Sequence, residues 1–118
     1  VGGMLKYIRK HPLEKVTIAG GFGKICKLAQ GLVDLHSRAG SVDHEFLANI
    51  TGLDEIKLAN SASHALEIAV KHDFNIADIV AQKAWQTAIK MLSGTDTTLE
   101  IVIFDRDGRL LAQCSQHN

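Results

Sequence analysis

Two short runs in the chain hold the residue types from which a binding or catalytic site can be built. The first is Gly20-Gly21-Phe22-Gly23-Lys24. Glycines let a backbone turn tightly and let a ligand approach its amides. A helix starting at such a turn adds unpaired N–H groups and the positive end of its dipole, where a phosphate or carboxylate docks. A Walker-type phosphate loop is excluded, because the glycines are too closely spaced and Ile25, not Ser or Thr, follows Lys24. Gly21-x-Gly23-x-x-Cys26 keeps two glycines of the dinucleotide fingerprint but has Cys at the third position. On spacing alone, a plain strand-to-helix turn and an anion site stand equally open.

The second run is Asp34-Leu35-His36-Ser37-Arg38. It brings an imidazole, a hydroxyl and a guanidinium together at the expected C-terminal end of a helix. Cations there complement the helix dipole, and on the residues alone that reading is preferred. The same trio can also clamp carboxylates or move a proton. No acyl-transfer triad is evident. Asp105-x-Asp107-Gly108 reads as a turn between strands rather than a metal loop. Cys26 reads as a small core residue, Trp85 as a packing residue, His64 as a helix-surface residue and His72 as a helix end.

The elements that must position these groups follow from hydrophobic period. Val1 to Lys10 reads as a helix stopped by Pro12. Lys15-Val16-Thr17-Ile18-Ala19, ending at Gly20-Gly21, has a buried-strand signature. Ile25, Leu28, Ala29, Leu32 and Val33 form one face of a helix expected to run from near Gly23 to near His36. At 1.5 Å per residue such a helix is about 18 Å long and would carry the two runs at opposite ends.

Val42, Phe46, Leu47 and Ile50 predict a short helix ending at Gly52, and Glu55–Leu58 is ambiguous between strand and loop. Ser61 or Ser63 caps the next helix. Asn75, with Asp78 at the N3 position, opens the longest one, whose inner face is Ile76, Ile79, Val80, Ala84, Ala88 and Leu92 and which Gly94 stops. Leu99–Phe104, the Asp105–Gly108 turn and Leu110–Ala112 predict a hairpin. The fold class is therefore α/β: one layered domain over residues 1–118, with a mainly parallel sheet, several helices and a C-terminal β-hairpin. A chain that opens on a helix leading into a buried strand, without an initial Met, is expected to be incomplete at its N-terminal side.

The chain has 118 residues, 46% of them hydrophobic and 22% charged, a globular composition. Thirteen basic side chains balance thirteen acidic ones, which excludes a strongly charged surface made for nucleic acid or anionic membrane. No apolar run approaches the ~18 residues of a membrane span. Cys26 and Cys114 are far apart and lack metal-ligand spacing, so they are expected as free thiols in a cytoplasmic protein, with no metal site.

The run from Val16 through Gly20-Gly21-Phe22-Gly23-Lys24, then Lys27-Leu28-Ala29-Gln30-Gly31, then His36-Ser37-Arg38 resembles the CbiD family, the cobalt-precorrin-5B C1-methyltransferases of anaerobic cobalamin (vitamin B12) biosynthesis. Leu58-Ala59-Asn60-Ser61-Ala62 and Ala65-Leu66-Glu67 are similar to that family's downstream pattern. The resemblance covers most of residues 1–92 and points to the C-terminal part of a longer protein.

It implies S-adenosylmethionine-dependent methyl transfer to a cobalt-precorrin tetrapyrrole, with no protein-bound metal. It also implies that the missing N-terminal part is a partner, and a homo-oligomer is a further option. By the same implication Gly20, Gly21, Phe22, Gly23 and Lys24 bind the donor, Lys27, Ser37 and Arg38 bind substrate carboxylates, and His36 is the catalytic proton acceptor. The competing expectations are a non-catalytic nucleotide- or anion-binding α/β domain and a pure interaction domain.

Overall fold

The computed structural model describes residues 15–31, 43–92 and 97–117. Strand β1 (Lys15–Gly21) passes without a loop into helix α1 (Phe22–Ala29). Helix α2 (His44–Thr51), a 3-10 helix over Asp54–Leu58, helix α3 (Ala62–Lys71) and helix α4 (Ile76–Met91) follow. The chain then forms strands β2 (Thr98–Phe104) and β3 (Leu110–His117). The sheet order is β1-β2-β3, with β1 parallel to β2 and β3 antiparallel to β2. The architecture is thus the expected α/β layer, with a parallel start and a C-terminal hairpin. The helix expected over Val1–Lys10 lies outside the described residues, as do Leu32, Val33, Val42, Gly94 and the His36-Ser37-Arg38 run.

The alternation of side chains along each strand sorts the sheet into two faces. Val16 and Ile18 pair with Leu99 and Ile101, and all four are buried under the helices, with Ile103 and Ala112 beside them. The opposite face carries Lys15, Thr17, Glu100 and Gln113. β1 is therefore half-buried rather than buried throughout: Lys15, Thr17 and Ala19 are exposed.

Helix α1 offers Ile25, Cys26 and Leu28 to the core, and α4 meets it with Ala77, Val80, Ala81, Ala84 and Ala88. Small side chains at these positions let the two helices approach closely. Ile79, expected on the inner face of α4, is only half-buried. Trp85 packs at the core margin and donates its indole N–H to the Leu99 carbonyl at 2.9 Å, which ties α4 to the start of β2. Trp85→Phe should cost about 1 kcal/mol of stability by losing that bond. Urea unfolding of the two proteins checks it.

Local chemistry sets the element ends. Asp43 caps α2 by accepting from the Phe46 N–H, and Gly52, at φ 74°, terminates it. Ser61 rather than Ser63 caps α3, accepting from the His64 N–H at 3.1 Å. Asn75 caps α4 as expected, accepting from the Asp78 N–H and donating to the Asp78 carboxylate. Glu55–Leu58 belongs to a 3-10 helix, neither strand nor plain loop. It is held by bonds from Ile56 N to Leu53 O and Ala59 N to Ile56 O, and anchored by the buried Ile56 side chain. In the hairpin turn, Asp105 Oδ1 accepts from the Asp107 and Arg109 N–H groups, and Gly108 takes φ 82°.

One expectation fails. Helix α1 ends at Ala29 instead of continuing toward His36. Gly31 adopts φ 95° and donates to the Leu28 carbonyl, the left-handed stop that glycine accepts at no steric cost. The helix has eight residues and is about 12 Å long, so it does not carry the two functional runs at its opposite ends.

Candidate functional site

The parallel pairing of β1 with β2 brings the carboxyl ends of both strands to one edge, where Gly21 lies opposite Phe104. Ligands in open α/β sheets gather at that edge. A cavity of about 580 Å³ opens there, within the range of small-molecule sites. Three walls form it. Gly21, Phe22 and Gly23 come from the β1–α1 junction, Ser61, Ser63, His64, Leu66 and Glu67 from the start of α3, and Phe104, Asp105, Arg106 and Asp107 from the end of β2 and its turn.

The glycines are not required by backbone strain. Gly20, Gly21 and Gly23 do not take left-handed φ values. A Cβ at Gly20 would come within 2.9 Å of Lys24 Cδ, a flexible side chain that can swing aside, and one at Gly23 would make ordinary contact at 3.4 Å with Ala62 Cβ, where α3 closes on α1. Gly21 differs. Its φ of −72° and ψ of 166° suit any residue, and a Cβ there would meet nothing within 4 Å. Its bare α-carbon thus borders open space next to the cavity that Gly21 lines. Gly21 is also the N-cap of α1 and offers no capping side chain. The first-turn N–H groups of α1 therefore keep their hydrogen-bonding capacity for a ligand.

At the second wall, capping fixes His64. Its N–H bonds to Ser61 Oγ, and its own Nδ1 accepts from the Asn60 N–H at 3.1 Å. That leaves Nε2 as the hydrogen-bearing nitrogen of the neutral ring. At the third wall, Arg106 donates to Ser63 Oγ at 3.1 Å and so bridges the β2–β3 turn to the start of α3.

Of the residues singled out in the sequence, Gly21, Phe22 and Gly23 line the cavity and Gly20 lies just before it in β1. Lys24 lies against Gly20 and is not among the lining residues. Lys27 sits in the last turn of α1, at the far end of the helix from the cavity. His36, Ser37 and Arg38 fall outside the described residues. Sequence reading did not single out Ser63, Glu67, Arg106 or Asp107 for the site, and it placed His64 only on a helix surface. The signal for Arg106 and Asp107 was there: residues just after a strand parallel to β1 share its carboxyl edge.

Two other groups, Cys26 and Glu100, serve the structure. Cys26 is fully buried, and burial pushes its thiol up to about 12, so it is not a nucleophile at neutral pH. On the open face of the sheet, Glu100 accepts from Gln113 and from Thr17 Oγ1 at 3.0 Å, with Lys15 Nζ at 3.7 Å. These partners, Gln113 first, hold its carboxyl below the ordinary value of 4.5 against the opposing effect of burial. Because the folded-state value is the lower one, its stabilisation is complete above the ordinary value and fades as pH falls through the depressed one. Glu100→Gln should therefore flatten the loss of stability below about pH 4.5, as read by thermal unfolding across pH 2–6.

Comparison with known proteins bears on what this edge serves. The family model described as the CbiD C-terminal domain matches residues 34–115. A cobalt-precorrin-5B C(1)-methyltransferase of Bradyrhizobium sp. (strain BTAi1) is 46% identical over 121 residues, spanning 96% of this chain and 32% of the relative. The proteins of the same name from Agrobacterium fabrum (strain C58), at 45% identity, and Brucella abortus (strain S19), at 46%, cover 93% and 95% of this chain and 31% and 33% of themselves. The chain thus spans about a third of the length of these curated relatives. No solved structure matches it. Among the described residues no helix is long and apolar enough to cross a membrane. With its family model matched from residue 34 to residue 115, the chain belongs to the CbiD C-terminal domains.

Proposed function

We propose that this chain forms the donor-binding part of an S-adenosylmethionine-dependent enzyme that methylates C1 of cobalt-precorrin-5B in anaerobic cobalamin biosynthesis. The relatives' names support the reaction. One observation supports the place of this chain in it: the charge of the cavity at the carboxyl edge. Glu67, Asp105 and Asp107 stand there against a single guanidinium, Arg106. S-adenosylmethionine carries a sulfonium and an ammonium against one carboxylate, so its net charge is attracted to such a lining. A tetrapyrrole bearing several carboxylates is repelled by it.

Within this reading the chain works by positioning. The open space at Gly21 and the free amides of α1 receive the donor, with Gly20, Phe22, Gly23 and Lys24 shaping that junction. The donor's methyl is already activated by the sulfonium, so what the protein contributes is alignment of that methyl with the ring carbon and exclusion of water. Lys27, Ser37 and Arg38 are assigned to the substrate's carboxylates, and His36 to accepting a proton from the macrocycle. The part of the protein that precedes this chain in the longer relatives completes the site, and the enzyme works in the cytoplasm.

The test is binding to the full-length protein. Arg38→Ala should weaken the tetrapyrrole by about 10- to 100-fold, the loss of one charge-assisted contact, and leave donor affinity unchanged. Donor affinity that collapses while macrocycle binding holds would reverse the assignment. The alternative, a non-catalytic nucleotide- or anion-binding domain, requires that the full-length protein bind a nucleotide and show no methyl transfer.

A further inference from the structure

Arg106 is unusual among the residues of the cavity. It stands between Asp105 and Asp107 and shares the cavity with Glu67, yet it forms no ion pair among the described residues. Among the described residues its one side-chain bond is to the neutral Ser63 hydroxyl, across the mouth between the β2–β3 turn and α3. A guanidinium has five N–H donors in a planar fork. Ser63 engages one of its nitrogens and fixes the reach of the side chain, while the rest of the fork stays uncommitted. No carboxylate among the described residues lies within ion-pair distance of it, and Asp105 Oδ1 is held by the Asp107 and Arg109 N–H groups of the turn. The open space at Gly21 and the uncapped first turn of α1 border the same cavity.

We propose that Arg106 is a ligand-binding residue of this cavity, held in place by Ser63, and that it takes the carboxylate at the amino-acid end of the methyl donor. A planar fork with free donors matches a carboxylate in two-point geometry. Glu67 and Asp107 are then left for the donor's two cationic groups, while Asp105 is engaged by the N–H groups of its own turn. The inference rests on the reading that the donor binds at the carboxyl edge, and its test separates the two.

The full-length protein and its Arg106→Ala and Arg106→Lys variants are titrated with two probes. S-adenosylhomocysteine has the amino-acid carboxylate, and 5′-methylthioadenosine lacks it. Arg106→Ala is expected to weaken S-adenosylhomocysteine by about 10- to 100-fold, with 5′-methylthioadenosine held within about twofold. Arg106→Lys, which keeps the charge but loses the fork, should recover only part of that loss. Arg106 is exposed, so thermal unfolding of both variants should match the parent protein. An unchanged affinity for S-adenosylhomocysteine, or an equal loss for both probes, overturns the role of Arg106 and leaves the donor reading standing. A parent protein that binds neither probe overturns the donor reading and this inference with it.

Discussion

Gly21→Ser is expected to abolish productive donor binding without unfolding the protein. The serine Cβ enters space that no protein atom occupies within 4 Å, so the fold has nothing to move aside. The backbone at Gly21 already lies at φ −72° and ψ 166°, which serine adopts freely. At the N-cap of α1 serine is at least as good as glycine, and its hydroxyl can accept from the first-turn amides. Both effects act on the ligand: the side chain adds bulk at the edge of the cavity and engages N–H groups that would otherwise face the donor. Affinity for S-adenosylhomocysteine should fall on the order of 100-fold, equivalent to about 2.7 kcal/mol. The melting temperature should hold or rise slightly. A variant that melts early would show that Gly21 serves the fold, and one that binds normally would show that the cavity is not the donor site.

The largest stability effect should come from the middle of β2. Ile101 is fully buried, pairs with Ile18 on β1 and Cys114 on β3, and faces the helices. Ile101→Ala removes side-chain volume from the strand that, among the described residues, has neighbours on both sides, and α1 and α4 cannot both settle into the gap. The expected cost is about 2–5 kcal/mol, the lost transfer energy plus the cavity left behind. That is a large share of the ~5–15 kcal/mol that holds a typical domain together. Leu58→Ala, at a side chain 78% exposed, should change stability by less than about 0.5 kcal/mol. Urea unfolding of the two variants beside the parent should separate them clearly.

Much of the fold was legible because period and capping are local signals. Val16 and Ile18, Asn75 with Asp78, and Asp105 to Gly108 each declare their element from a few neighbouring residues. What a local reading could not weigh was competition between signals. Ile25, Leu28, Ala29, Leu32 and Val33 keep one helical period across Gly31, yet the left-handed φ at Gly31 ends the helix.

One wall of the candidate site was legible for the same reason. The glycines of the β1–α1 junction stand out in sequence, but the residues facing them do not. Ser63, Glu67 and Arg106 lie about 40 to 85 positions further on: the first two reach the cavity because α3 packs against α1 at Gly23 and Ala62, and Arg106 because β2 pairs parallel with β1. The glycines' physical role was equally hidden. A tight turn would have demanded positive φ, and the structure shows instead that Gly21 leaves room.

Hydrogen exchange of the full-length protein with and without S-adenosylhomocysteine, read by mass spectrometry at peptide resolution, tests the donor site most directly. The account predicts that the donor product slows exchange in three separate stretches of this chain: the β1–α1 junction at Gly20–Lys24, the start of α3 at Ser61–Glu67 and the β2–β3 turn at Phe104–Asp107. Binding of the donor product with none of these stretches protected, and protection confined to the part of the protein that lies outside this chain, would contradict it.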